Sequence, residues 1–185
     1  MVETRQAKRL LRKEIAARKE ACSVDILDEL SNKIMSLLEQ TTMFQEASCV
    51  ALYHALPGEV QTAAFIEKWY RRKKILLPLV VGEDLRLLLY EGADTLRLGA
   101  FGIQEPKADA QELPEESIDL IVVPGVAFDK EKNRMGRGRG FYDRLLERIK
   151  APTIGIGFGF QCVPHVPTEP FDRKMDWVIT EQGLF

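Results

Sequence analysis

The stretch IDLIVVPGVAFDKEKNRMGRGRGFYDRLLERI, residues 118–149, starts as an apolar run and breaks at Pro124-Gly125. It then sets three glycines and three arginines into residues 134–140 and ends in an amphipathic run. A short apolar run closed by a turn signal reads as a buried strand, and the segment 141–150 reads as a helix. Strand, cationic glycine loop and helix follow one another, which places the loop at the carboxyl edge of a sheet, where α/β folds bind ligands.

Outward from this stretch the same alternation continues. Residues 4–20 have helical spacing, with Ala7, Leu11 and Ile15 recurring and Leu10 beside them. A second helix follows Ser23, a plausible N-cap, and carries Leu27, Leu30, Ile34 and Leu37 or Leu38. ASCVALYHAL (47–56) reads as a buried strand stopped by Pro57-Gly58. Thr62 is positioned to cap a helix with Phe65, Ile66, Trp69 and Tyr70 on its apolar side. KILLPLV (74–80) and LRLLLYE (85–91) form a hairpin across VGED, and residues 92–117 read as loop. TIGIGFGF (153–160) and MDWVITEQ (175–182) are further strands, the latter closing the chain. On TIGIGFGF, Gly155, Gly157 and Gly159 share a strand face and clear room for a ligand or another backbone. Strands alternating with helices imply a mostly parallel sheet covered on both faces. The expected fold is one α/β domain over residues 1–185, an open three-layer αβα sandwich.

Composition narrows the partners. Hydrophobic residues at 45% and charged residues at 29% suit a soluble globular domain. A net charge of −2 provides no global attraction for nucleic acid or anionic lipid, so any affinity for phosphate is local. Cys22, Cys49 and Cys162 are scattered and only His54 and His165 accompany them, so neither a zinc spacing nor a disulfide framework is expected. A reduced cytoplasmic setting fits this cysteine usage. The N-terminal segment lacks an apolar signal region, and its three glutamates speak against a mitochondrial presequence. No nucleic acid or membrane partner is expected.

Around the loop, alternating glycines let main-chain N–H groups converge while Arg137 and Arg139 flank the space, and the following helix aims its N-terminus at the same point. Phe141 stands where a dinucleotide fingerprint needs glycine, and no Gly-Lys-Ser/Thr follows as in a P-loop. An RNA-binding arginine-glycine tract is longer and repetitive. Polyphosphate binding remains. Asp143, in the first helical turn, is either a residue that suits the helix dipole or a ligand for Mg2+, which takes one or two carboxylates together with phosphate oxygens.

RMGRGRGFYDRLL, with VVPGVAFD before it and LPGEVQT far upstream, resembles the 5-formyltetrahydrofolate cyclo-ligases. The likeness spans nearly the whole chain and includes AKRLLRKEI, GIQEP, IGIGFGFQ and DRKMDWVIT in collinear order. It implies an enzyme with an open α/β sandwich that uses ATP and Mg2+ to convert 5-formyltetrahydrofolate (folinic acid) into 5,10-methenyltetrahydrofolate. The γ-phosphate would activate the formyl oxygen before N10 attacks. A monomer is expected.

The resemblance also implies roles. Arg134 and Arg139 would clamp ATP phosphates and, with Tyr142, carry the chemistry. Lys8, Arg12, Gly136, Arg137, Gly138, Gly140 and Phe141 would complete the ATP site. Residues Arg137 to Tyr142 would lie between nucleotide and folate, with His54, Glu59 and Phe101 as folate contacts; Phe101 is otherwise a core residue. Asp143 and Asp172 would hold the metal, with Asp176 the neighbouring candidate whose ordinary role is a cap before the last strand. Two departures stand out: the family commonly has lysine at position 139 and tyrosine at position 141. Competing expectations are a module that holds nucleotide or folate without turnover, and an RNA binder.

Overall fold

The computed structural model describes residues 2–99, 102 and 104–185. Its elements run α1 (Val2–Glu20), α2 (Val24–Gln40), α3 (Thr42–Glu46), β1 (Cys49–Ala51), α4 (Ala63–Trp69), β2 (Lys74–Val81), β3 (Asp84–Leu89), β4 (Leu96–Leu98) and β5 (Gln104–Pro106). They continue with β6 (Leu120–Pro124), β7 (Ala127–Phe128), β8 (Arg134–Met135), α5 (Phe141–Arg148), β9 (Thr153–Ile156), β10 (Trp177–Thr180) and β11 (Gly183–Leu184).

Seven strands form one sheet in the order β11-β10-β9-β6-β1-β2-β3. The interior pairs β1–β2, β1–β6, β6–β9 and β9–β10 are parallel, and antiparallel hairpins finish both edges. This is the mostly parallel α/β sheet expected from the alternation of apolar runs. The chain builds from β1 towards β3 on one side, then returns to add β6 on the other. The winding therefore reverses between β1 and β6, and the crevice beyond their carboxyl ends is where such sheets bind ligands.

Alternation along each strand divides the core. Val50, Leu120 and Val122 meet Leu27, Ile34, Leu38, Phe44 and Phe65 from the helices α2, α3 and α4. Ala51, Ile121 and Val123 meet Leu145 and Ile149 at α5 on the opposite face. Helix α1 joins neither layer. Its Ile15 packs with Ala127, Met135 and Val166, so the helix lies over the β7–β8 hairpin. Ser23 caps α2 by accepting from the Ile26 amide at 3.3 Å, as its position suggested.

Several expectations change. Leu10, grouped with the apolar face of α1, is 56% exposed. Thr62 stands at the N-cap of α4 as expected, but its side chain makes no capping bond; its hydroxyl donates to the Tyr53 carbonyl at 2.5 Å. The strand expected over 47–56 leaves the ladder after Ala51, because beyond the β1–β6 register the two chains part and open the crevice. Residues 92–117 contain the β4–β5 hairpin, whose strands are three residues each, too short for an apolar repeat to reveal them. The chain ends in an extra strand, β11, and does not close on β10.

Gly155 and Gly157 of TIGIGFGF serve packing. Strand β9 stops at Ile156, and the Phe128 ring occupies the space beside Gly155 and Gly157, where an added Cβ would sit 2.5 and 2.8 Å from it. Gly155→Ala should therefore destabilise the fold by about 1–3 kcal/mol through overpacking against Phe128 and Met175. Chemical denaturation will measure this, and an unchanged midpoint would contradict the packing role.

Candidate active site

At the crevice between β1 and β6 lies a cleft of about 670 Å3. It has two halves. Arg5, Lys8 and Arg12 on one face of α1, the segment Arg134–Arg144, Glu169 and Asp172 line the charged half. Pro78, Val80, Leu85, Tyr53 and Pro124 make the remainder largely apolar, with His54, Glu59 and Glu105 as its polar groups. The size and the mix of apolar wall and few polar groups suit a small-molecule site.

The glycine loop does not follow β6 directly, as the sequence suggested; the β7–β8 hairpin intervenes. Asp129, 1% exposed, holds that hairpin: its Oδ1 accepts from the amides of Glu131 and Asn133, and its Oδ2 accepts from Asn133 Nδ2 and the Val166 amide. The hairpin delivers Arg134, whose side chain is 2% exposed. The guanidinium donates to Asp143 Oδ1 at 2.9 Å and to the Pro124 carbonyl at 3.3 Å, and lies 5.7 Å from the Tyr142 ring centre. The loop between them turns at Gly138 (φ 100°) and Gly140 (φ 70°), conformations that favour glycine. Gly140 stands at the N-cap of α5 without a capping side chain, so the helix presents uncapped N–H groups to the cleft.

Carboxylates organise the other cations. Lys8 Nζ donates to Asp172 Oδ2 at 2.5 Å and to Glu169 Oε2 at 3.1 Å. These acids offset the repulsion between Lys8 and Arg12, which share a face of α1. Arg12 Nε donates to the Gly136 carbonyl at 3.0 Å, tying α1 to the loop, and burial lowers its pKa against the opposing pull of Asp172. Arg137 pairs with Glu59 Oε1 at 2.9 Å, while Glu59 Oε2 accepts from the Leu56 amide at 3.0 Å. Arg139 is exposed beside the cleft, and its carbonyl accepts from Arg144 Nη2 at 3.1 Å. Burial first, then Glu59, pushes the Tyr142 phenol well up against the lowering by Arg134, so the phenol stays protonated and can donate a hydrogen bond.

The cleft thus gathers Lys8, Arg12, His54, Glu59, the segment 134–143 and Asp172 from distant parts of the chain. Phe101 lies outside the described residues. Asp176 is elsewhere engaged, accepting from the amide and hydroxyl of Thr153 and so tying β10 to β9. Sequence reasoning passed over Glu169, Glu105 and Asp129. Glu169 stands three residues before Asp172 and Asp129 four before Asn133, spacings that only hydrogen bonding gives meaning; Glu105 sits in GIQEP, where nothing local marked it.

The donors available to a divalent ion follow from the same geometry. Among the described residues no three His, Cys, Asp or Glu side chains converge on one point. Among the described residues, Asp143 accepts on Oδ1 and Asp172 on Oδ2, which leaves the other oxygen of each without a donor there. Two part-free carboxylates beside an anion site fit magnesium, which keeps waters and borrows phosphate oxygens in place of an all-protein cage.

Fold and site together define an α/β protein whose ligand cleft, at the point where its sheet reverses, joins a cationic glycine loop to an apolar slot. The model of the 5-formyltetrahydrofolate cyclo-ligase family matches residues 4–181. A Haemophilus influenzae protein named 5-formyltetrahydrofolate cyclo-ligase is 37% identical over 75% of this chain and 76% of its own length. The Mus musculus protein of the same name is 29% identical, with 98% and 97% covered. The solved structure of Aquifex aeolicus 5,10-methenyltetrahydrofolate synthetase superposes with a TM-score of 0.87 at 35% identity, covering 96% of this chain and 91% of that one. The chain belongs to the 5-formyltetrahydrofolate cyclo-ligase family and is an enzyme, a cyclo-ligase. Among the described residues no helix is long and apolar enough to cross a membrane.

His54 offers a pH test of this environment. Burial lowers its pKa, with Glu67 pulling the other way. The folded protein therefore sheds a proton that the unfolded chain keeps below about pH 6.5, so stability falls as pH drops through that value and levels off below the folded pKa. His54→Gln should flatten the fall in melting temperature between about pH 7 and pH 5. An unaltered slope would assign the loss to other groups.

Proposed function

We propose that this enzyme cyclises 5-formyltetrahydrofolate to 5,10-methenyltetrahydrofolate, with ATP converted to ADP and phosphate in a magnesium-dependent reaction. The observation that carries this reading is the union of the two halves in one cleft: anion-binding groups meet an apolar slot, so a triphosphate and a flat heterocycle can lie end to end. The cytoplasm is the compartment this reading implies.

A formamide oxygen is a poor leaving group. Transfer of the γ-phosphoryl group to that oxygen turns it into a phosphate ester. The N10 lone pair then attacks the activated carbon, the N10 proton is lost, and the carbon–oxygen bond breaks as phosphate departs. Phosphoryl transfer is promoted chiefly by positioning and by neutralising charge on the transferred group. Arg134, held rigid by Asp143, and Arg139, on the exposed side of the loop, would bind phosphate oxygens. The amides of Gly136 to Gly140 and the start of α5 would add neutral donors, and Lys8 and Arg12 would hold the tail from α1. The protonated Tyr142 phenol would donate to oxygen at the reacting end. Glu59, Arg137, His54 and Phe141 would meet the folate, joined by Phe101.

Asp143 and Asp172 would hold magnesium. Bound there, magnesium would supply charge neutralisation to the phosphates. The protein's part is to hold both carboxylates in place, Asp143 beside Arg134 and Asp172 beside Lys8.

The direct test is incubation with 5-formyltetrahydrofolate, ATP and Mg2+, following the ultraviolet absorbance of the methenyl product; a folded but inactive protein would refute the reading. Asp143→Asn retains an oxygen for Arg134 while removing the negative charge. It should lower the rate and raise the magnesium concentration for half-maximal activity by about tenfold or more. Unchanged magnesium dependence would exclude Asp143 as a ligand.

A further inference from the structure

Two atoms in the apolar half of the cleft are buried without a hydrogen-bond partner among the described residues: His54 Nε2 and Glu105 Oε1. The second is the more demanding. Glu105 is 3% exposed on β5, and its carboxylate oxygen Oε1 is buried with no hydrogen-bond partner among the described residues. Arg97 faces it across the β4–β5 ladder yet is exposed and does not bind it. Gly99 leaves room for the carboxylate, since a Cβ there would collide with it. A buried acceptor with no donor is destabilising, and such a group calls for a partner from outside the chain.

We propose that Glu105 is a specificity-determining residue for the folate, accepting the paired N–H donors on the aminopyrimidine edge of the pterin. The proposal rests on the folate reading above. An ionised carboxylate only accepts, and its two oxygens match two parallel N–H groups, whereas an imidazole nitrogen makes one bond. Glu59 is poorly placed to do the same, because Arg137 takes one of its oxygens and the Leu56 amide the other. Glu105 Oε1 has no such tie among the described residues, and Glu105 lines the cleft together with Pro78 and Val80, apolar surface suited to a flat ring.

Steady-state kinetics of the wild type and Glu105→Gln, varying each substrate in turn, test this. The KM for 5-formyltetrahydrofolate should rise about tenfold or more, while that for ATP moves by less than about twofold. The melting temperature of the ligand-free variant should hold or rise, because glutamine fills the same space without the unpartnered carboxylate. In parallel, the wild type should prefer 5-formyltetrahydrofolate about tenfold over its analogue bearing methyl in place of the 2-amino group. That comparison needs no variant to fold. An unchanged folate KM, an equal rise in both KM values, or a wild type indifferent to the analogue overturns the role of Glu105. A wild type that forms no methenyl product overturns the folate reading and this proposal with it, so the two failures are distinguishable.

Discussion

A guanidinium keeps its charge under any condition a protein meets, so an arginine with 2% of its side chain exposed must be answered from within. Arg134 is answered by Asp143, and the rest of the site is arranged around that pair. One side chain joins the last carbonyl of β6, its own hairpin and the first turn of α5. The loop between β8 and α5 is consequently a short tether with fixed ends. Gly138 and Gly140 supply the positive φ angles that let the tether close without blocking the cleft. Removing either charge would strand the other in a partly dry environment, an arrangement far more damaging than losing an exposed pair.

The same logic runs through the charged half of the cleft. Lys8 is held between Glu169 and Asp172, Arg12 is tied to the loop backbone, and Arg137 rests on Glu59. Cations that would repel one another in an empty pocket are thereby kept in position for an anionic ligand. A protein with a net charge of −2 can in this way present a strongly basic pocket without a basic surface. Both halves keep buried polar atoms without hydrogen-bond partners among the described residues, on Arg134, Arg144 and Glu169 in the charged half and on His54 and Glu105 in the apolar half.

Periodicity carried much of the fold. The apolar runs at 74–80 and 118–129 and the helical spacing of α2 and α5 were legible because one buried face imposes a repeat on the residues themselves. Where that repeat is absent the reading failed: β4, β5 and β11 are two or three residues long, too short to show a repeat, so pairing alone defines them. The strand expected over 47–56 was shortened by an event outside it, the divergence of β1 from β6. Gly155 and Gly157 looked like room for a ligand or another backbone, yet the side chain of Phe128, distant in sequence, fills the space.

By itself the sequence determined the class of fold, the family and the cationic loop, because hydrophobic repeat, glycine placement and motif order are local properties written residue by residue. Only the tertiary structure decided which carboxylate answers which cation. Lys8 with Glu169 and Asp172, Glu59 with Arg137, and the unpartnered Glu105 Oε1 are relations between segments up to 164 residues apart. Electrostatic pairing depends on distance and burial, and neither exists until the sheet has brought those segments to a single crevice.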